Sequence, residues 1–262
     1  MLYQDDNIYY LRKPAGVPST RWKQACFLDM LASGEYERWI HHPHHDAYHD
    51  AMHPYLIEHI TSFGLKKVEE LHATMNSLLH TFSRAQEYGL LNRLDTPTSW
   101  FLYFAKSVPA YIDYKLHQKQ DRLSKHYIAK VDGHVAYLLD QWFHEHDEIE
   151  IDNDCIHIYY PLMHHIHLDD RMSVLLRPEH ITKWRGNAIF KKTTLRIIDY
   201  DVAENKTLLH ITITSGARHQ IRAHLWALWY PILGDVLYTK KKDHHHVPLH
   251  LWSVWCEIID VL

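Results

Sequence analysis

Apolar and polar positions along the chain fall into two alternating periods, one near 2 and one near 3.6, and the switches between them predict the elements. In NIYYLRKPAG, residues 7 to 16, a run of Ile, Tyr and Leu stops at Pro14 and Gly16. This predicts a short strand with the cationic pair Arg12 and Lys13 at its end. Residues 54 to 86 carry apolar positions at helical spacing interrupted at Gly64, which predicts two helices. SWFLYFA, residues 99 to 105, is a continuous apolar and aromatic run, short enough for a strand buried on both faces. Val108, Tyr111, Ile112, Lys115 and Leu116 recur at helical spacing over 108 to 121, and HYIAKVDG then reads as a strand ending at Gly133. Between 142 and 180 only EIEI and CIHIYY are strand-like. From 193 the pattern clears: TTLRIIDYD and TLLHITIT predict two strands, the second half-buried, with Leu209, Ile211 and Ile213 alternating against His210, Thr212 and Thr214. Ser215 and Gly216 offer an N-cap for a helix over 217 to 229, with Ile221, Leu225 and Leu228 on one face. Strands with fewer, interspersed helices predict an α+β fold.

At 262 residues the chain is long enough for one full core, and residues 1–262 are expected to form one domain. The segment from about 20 to 90 stands out as atypical, His-rich and partly helical. The acidic opening MLYQDDN is unlike a signal or transit peptide, and no apolar run reaches membrane-spanning length, so a cytoplasmic location is expected. Cys26, Cys155 and Cys256 contain no CxxC pair, which fits a reducing compartment. The formal net charge of −4 opposes binding to nucleic acid, so any RNA contact must use a local basic face.

Five groups of residues carry candidate chemistry. Asp95, in LNRLDTPTSW, follows Arg93 and precedes Thr96, Pro97 and a buried strand. By residue type it is an ordinary turn former, while a carboxylate on a turn against an apolar wall also suits a nucleophile or base. Arg218 and Arg222, four apart at the start of a predicted helix with His219 beside them, suit an anion. Tyr127 alternates with polar neighbours on a strand, as a core or interface aromatic does. In HHPHHDAYHDAMH, His45, His49 and His53 would share a helical face and reach zinc with Asp46 or Asp50. Pro43 and the absence of a required spacing make a solvated segment the plainer reading, and no metal is expected. KKKDHHH, with Lys241 and Lys242, reads as a loop, solvated or in contact with RNA.

The order and context of these residues resemble the RluA-like family of RNA pseudouridine synthases. That family carries HRLD-x-x-TSG running into an apolar strand, a later Lys-x-Tyr strand, TGRxHQIR-x-H, and PILGD-x-x-Y. This chain has NRLDTPTSW with FLYFAKS, then KHYIAKVDG, TSGARHQIRAHL, PILGDVLY and LHLWSV, and its YLRKPAGVPS looks like the family's NKPAG segment. The resemblance implies an α+β domain with a mixed, largely antiparallel sheet core, flanking helices and a central catalytic cleft. It also implies isomerisation of uridine to pseudouridine in a structured ribosomal or transfer RNA, without cofactor and with no obligatory protein partner. Asp95 would be the nucleophile, Tyr127 the residue stacked on the target base and Arg222 the salt-bridge partner of the carboxylate. Arg93, Arg218, His219, Lys13, Lys241 and Lys242 would bind RNA. The N-terminal RNA-binding domain that many relatives carry is expected to be absent. Three departures stand close to the motifs: Asn92 for the family His, Trp100 for the Gly of TSG, and Ala217 followed by Arg218 for the Arg after Gly. A catalytically silent RNA binder on the same fold is the alternative, disfavoured because a pure binder has no need of a carboxylate facing RNA.

Overall fold

A computed structural model describes residues 2–4, 7–13, 15–20, 26–33, 64–66, 68–138, 148–165, 168–175, 184–239 and 247–259. The chain divides into two compact units, residues 1–120 and 121–262.

The first unit runs β1 (Leu2–Gln4), β2 (Ile8–Lys13), α1 (Phe27–Ser33), β3 (Gly64–Lys66), α2 (Val68–Thr81), a 3-10 segment (Arg84–Gly89), β4 (Ser99–Ala105) and α3 (Val108–Lys119). Its strands pair antiparallel in the order β3-β1-β2-β4. β4 is the apolar run SWFLYFA and is buried from Trp100 to Ala105, as a strand covered on both faces must be. Ser107 ends that run and caps α3, its hydroxyl accepting from the Ala110 N–H, with a proline in the first turn.

Two expectations for this unit change. Gly64 opens β3, which pairs with β1, and the second predicted helix follows as α2. The first lies outside the described residues. α3 forms as its spacing predicts but packs on the other side: Val108, Ile112 and Leu116 are exposed and Tyr114 is buried. Phe82 meets α3 at Tyr111, with ring centroids 5.8 Å apart, which selects the Tyr111–Tyr114 side over the aliphatic one.

The second unit begins with β5 (Leu123–Asp132) and a 3-10 segment (Val135–Leu138). β6 (Ile149–Asp152), β7 (Cys155–Ile158), β8 (Leu162–His165), β9 (Leu168–Val174), β10 (Trp184–Ile189), β11 (Thr193–Asp201) and β12 (Lys206–Ile213) follow. α4 (Gln220–Ala227) and β13 (Leu251–Ile258) complete it. Six strands lie in the order β13-β5-β12-β11-β7-β6 and three in the order β10-β8-β9, and every described pairing within the unit is antiparallel. β5 has partners on both edges and reads as an almost unbroken buried run, whereas β12 alternates as its sequence predicts. Ile128, Val131, Leu195, Leu209 and Ile211 form its core. Among the described residues no helix is long and apolar enough to cross a membrane.

The start of α4 also differs. Ser215 is not its cap; the helix begins at Gln220 after His219, which takes a left-handed conformation at φ 52° and makes no side-chain cap. The Gln220 Oε1 accepts from the Ala217 N–H instead, closing the turn before the helix. Arg218 therefore lies outside the helix and is exposed, while Arg222 is buried within it, so the two do not share a face. Ile221, Leu225 and Leu228 are buried together as predicted.

Candidate active site

The motif residues fall in both units, and each unit builds its share from contacts distant in sequence. In the first, the chain turns at Asp95, with the Thr98 N–H donating to the Asp95 carbonyl at 3.0 Å. The end of β2 and the segment after it clasp this turn at three points. Ser19 Oγ accepts from the Leu94 N–H and donates to the Leu94 carbonyl, both at 3.0 Å. Gly16, at φ 80°, donates its N–H to the Thr96 carbonyl. Lys13 Nζ donates to the carbonyls of Val17 at 2.7 Å and Thr96 at 3.1 Å.

Lys13 is thus not a surface contact for phosphate. It is fully enclosed, and burial pushes its ammonium down to about 7, with the negative charge of Asp95 opposing that shift. A cation of unusually low basicity therefore sits behind the candidate nucleophile. Arg93 does face solvent and forms an ion pair with Glu87.

Both departures beside Asp95 have a physical account. Asn92 is buried, its Oδ1 accepting from the Tyr103 N–H at 2.8 Å and its Nδ2 donating to the Phe101 carbonyl at 3.4 Å. It fastens the strand-like stretch before Asp95 to β4. Trp100 adopts φ 80°, a conformation natural to glycine and worth on the order of 1–3 kcal/mol of strain for a bulky residue. The Arg12 guanidinium lies over its ring, 5.4 Å from the centroid.

In the second unit Arg222 is clamped. Its Nε and Nη2 donate to the two carboxylate oxygens of Asp235, each at 2.8 Å, and both side chains are buried. Asp235 Oδ1 also accepts from the N–H groups of Leu237 and Tyr238, so one carboxylate both caps the PILGDVLY turn and fixes the guanidinium plane. Tyr238 adds its ring below Arg222, 5.2 Å from Cζ. Its hydroxyl donates to the Met172 carbonyl, so His219 Nδ1, 3.2 Å away, serves as donor to that hydroxyl. Tyr127 lies on β5 between Ile211 and Ser253 of its neighbours and is nearly buried.

A neutral network holds α4 against β11. Gln220 Nε2 donates to the Lys192 carbonyl and to Thr193 Oγ1. The Thr193 hydroxyl proton is then directed to His224 Nδ1 at 2.9 Å, and His224 Nε2 donates to the Tyr160 carbonyl at 3.0 Å. Burial pushes His224 down to about 4, so it stays neutral in the folded protein. In the unfolded chain it protonates near its ordinary value, and stability is lost as pH falls from about 6.5 towards about 4. His224→Gln removes that dependence. Wild type should exceed the variant in urea unfolding at pH 7.5, and the gap should narrow by about 2 kcal/mol at pH 5. A gap independent of pH would rule this assignment out.

Asp235 and the Gln220–Thr193–His224 network carry no warning in sequence beyond their place in HQIRAH and PILGD. His45, His49, His53, Lys241 and Lys242 lie outside the described residues. Among those described, no cluster of three or more His, Cys, Asp or Glu could hold a metal ion.

Residues 7–227 match the family described as RNA pseudouridylate synthase. The chain belongs to that family. The pseudouridylate synthase match takes in β2, the Asp95 turn, Tyr127 and all of α4. The chain is 27% identical over 173 residues to ribosomal large subunit pseudouridine synthase D of Nitrosomonas europaea, across 64% of this chain and 42% of that protein. It is 28% identical over 148 residues to the dual-specificity RNA pseudouridine synthase RluA of Haemophilus influenzae, across 56% of each. The chain spans about half the length of these curated relatives. Human RNA pseudouridylate synthase domain containing 1 shares the fold, with a TM-score of 0.59 at 15% identity over 98% of this chain and 77% of that one. Human RNA pseudouridylate synthase domain containing 4 does so with a TM-score of 0.57 at 16% identity, over 97% and 81%.

Proposed function

We propose that this chain isomerises uridine to pseudouridine in a structured RNA, ribosomal or transfer, in the cytoplasm and without metal or cofactor. The observation that carries the reading is that RLD, HQIR and PILGD occur in family order, with Asp95 on a tethered turn and Arg222 clamped by Asp235.

Asp95 acts as the nucleophile that frees uracil from its sugar, and Tyr127 supports the detached ring by stacking. Arg222, held rigid by Asp235, is the residue that the family resemblance assigns as partner of that carboxylate. The N1–C1′ bond breaks, a C5–C1′ bond forms, the C5 proton leaves and N1 regains a proton, so atoms balance within the uridine. Arg93, Arg218 and His219, with Lys241 and Lys242, supply the phosphate contacts that an acidic chain must concentrate locally.

Pseudouridine mapping across the RNA of cells lacking this gene tests the proposal. At least one site should vanish and return with the wild-type gene but not with Asp95→Ala. A complete map in the deleted cells favours the silent RNA binder, and restoration by Asp95→Ala removes Asp95 from the chemistry.

A further inference from the structure

Successive residues of a strand face opposite sides, so Trp100 and Phe101 belong on different faces of β4. In the antiparallel register Trp100 stands opposite Lys13, and Phe101 opposite Arg12. An ordinary extended Trp100 would lay its indole on the face that carries the Lys13 side chain. Instead the indole meets the ring of its own neighbour Phe101, with centroids 5.4 Å apart at 71°, and the guanidinium of Arg12. The Trp100 backbone is left-handed there, at φ 80°. Trp100 and Arg12 are both buried, so neither serves as an RNA-facing surface. Lys13, the register partner of Trp100, reaches the Thr96 and Val17 carbonyls beside the Asp95 turn.

We propose that Trp100 and Arg12 are a coupled pair of positioning residues for Asp95. The Arg12 stack holds Trp100 in the backbone conformation that glycine would supply without strain, which sets the path of the chain from the Asp95 turn into β4 and keeps the indole out of the space from which Lys13 grips the turn. The inference deepens the pseudouridine synthase reading and rests on it for its catalytic readout. It joins two features of this chain, an arginine before KPAG and a tryptophan after TS, that neither motif explains alone.

The coupling is tested with Arg12→Met, Trp100→Gly, Trp100→Ala and Arg12→Met/Trp100→Gly. Activity is read as tritium released from total RNA labelled at uracil C5, since forming the C5–C1′ bond expels that hydrogen. Glycine keeps a positive φ freely and alanine does not, so Trp100→Gly should retain about tenfold more kcat than Trp100→Ala, although glycine removes more of the side chain. Arg12→Met should lower kcat about tenfold with Trp100 present and no more than about twofold in the Trp100→Gly background, with KM changing less than kcat in both.

A packing role alone predicts the opposite order for glycine and alanine and the same arginine effect in both backgrounds, and either result overturns the proposal. The Lys13 titration, followed by NMR in the same variants, gives a readout that needs no RNA. It should move with Arg12→Met and Trp100→Ala, and Arg12→Met should no longer move it once Trp100 is glycine. If the wild type releases no tritium while the titrations follow this pattern, the enzymatic reading fails and the coupling stands. Titrations that shift equally in both backgrounds sink the coupling whatever the activity.

Discussion

Asp95→Asn is expected to reduce pseudouridine formation by about ten-thousand-fold or more in kcat while leaving the protein folded, because loss of the proposed nucleophile removes the whole reaction path. Stability should change little, since the buried cation behind the carboxylate can respond. Lys13 already lies near 7 in the folded protein, pushed down by burial, and Asp95 is the charge that keeps it from falling further. With Asn at 95 the ammonium sheds its proton more readily, and the neutral amine still donates to the Thr96 and Val17 carbonyls. The sign of the linkage follows. A lysine whose basicity is depressed on folding adds stability as pH rises from about 7 towards its ordinary value of 10.5, and Asp95→Asn moves the onset to lower pH. Tritium release from labelled RNA and urea unfolding between pH 6 and 10 measure the two effects separately. A variant with a substantial fraction of wild-type kcat, or one that unfolds at neutral pH, contradicts the assignment.

Asp235→Ala is expected to be the most damaging substitution for stability, costing about 3–5 kcal/mol in urea unfolding, because it leaves a buried guanidinium without its carboxylate. It also strips the acceptor from the Leu237 and Tyr238 N–H groups. Asp235→Asn keeps an oxygen for that turn and loses only the charge, so its cost should fall between wild type and alanine. Arg222→Met added to Asp235→Ala should recover some of the loss, since a buried guanidinium stripped of its bidentate carboxylate costs more than an apolar replacement of both partners. Losses that simply add would mean the pair is not coupled. Arg222→Met should abolish activity in either background.

Elements whose burial is set by their own sequence were legible from it. β4 is a continuous apolar run and β12 a strict alternation, and each folds as its pattern predicts. α3 was legible as a helix but not in its facing: Val108, Ile112 and Leu116 form the better aliphatic stripe, yet the position of Phe82 selects the other side. The start of α4 is hidden from sequence because Ser215-Gly216 satisfies the local rules for a cap, while the turn is closed by Gln220 and the left-handed His219. Asp95, Tyr127 and Arg222 stood out through motif order. Lys13 as a buried cation and Asp235 as the clamp did not, because their roles depend on partners that only tertiary structure supplies. The reach from Lys13 to Thr96 spans 83 positions.

That reach bears on how such a chain can vary in length. The hydrogen bonds between Ser19 and Leu94 close a loop across 75 positions. The entropic cost of closing a flexible loop grows only with the logarithm of its length, about 0.6 kcal/mol for each doubling. Residues inserted between the KPAG-like segment and RLD therefore weigh little on the clasp, whereas one lost hydrogen bond at Ser19 or Lys13 weighs about 1 kcal/mol. A longer or shorter intervening segment would therefore leave the carboxylate where it was. The turn at Asp95 is closed by a local hydrogen bond, but the same loop must close before the clasp holds it, so the Ser19 and Lys13 contacts belong among the later ones to form when the protein folds.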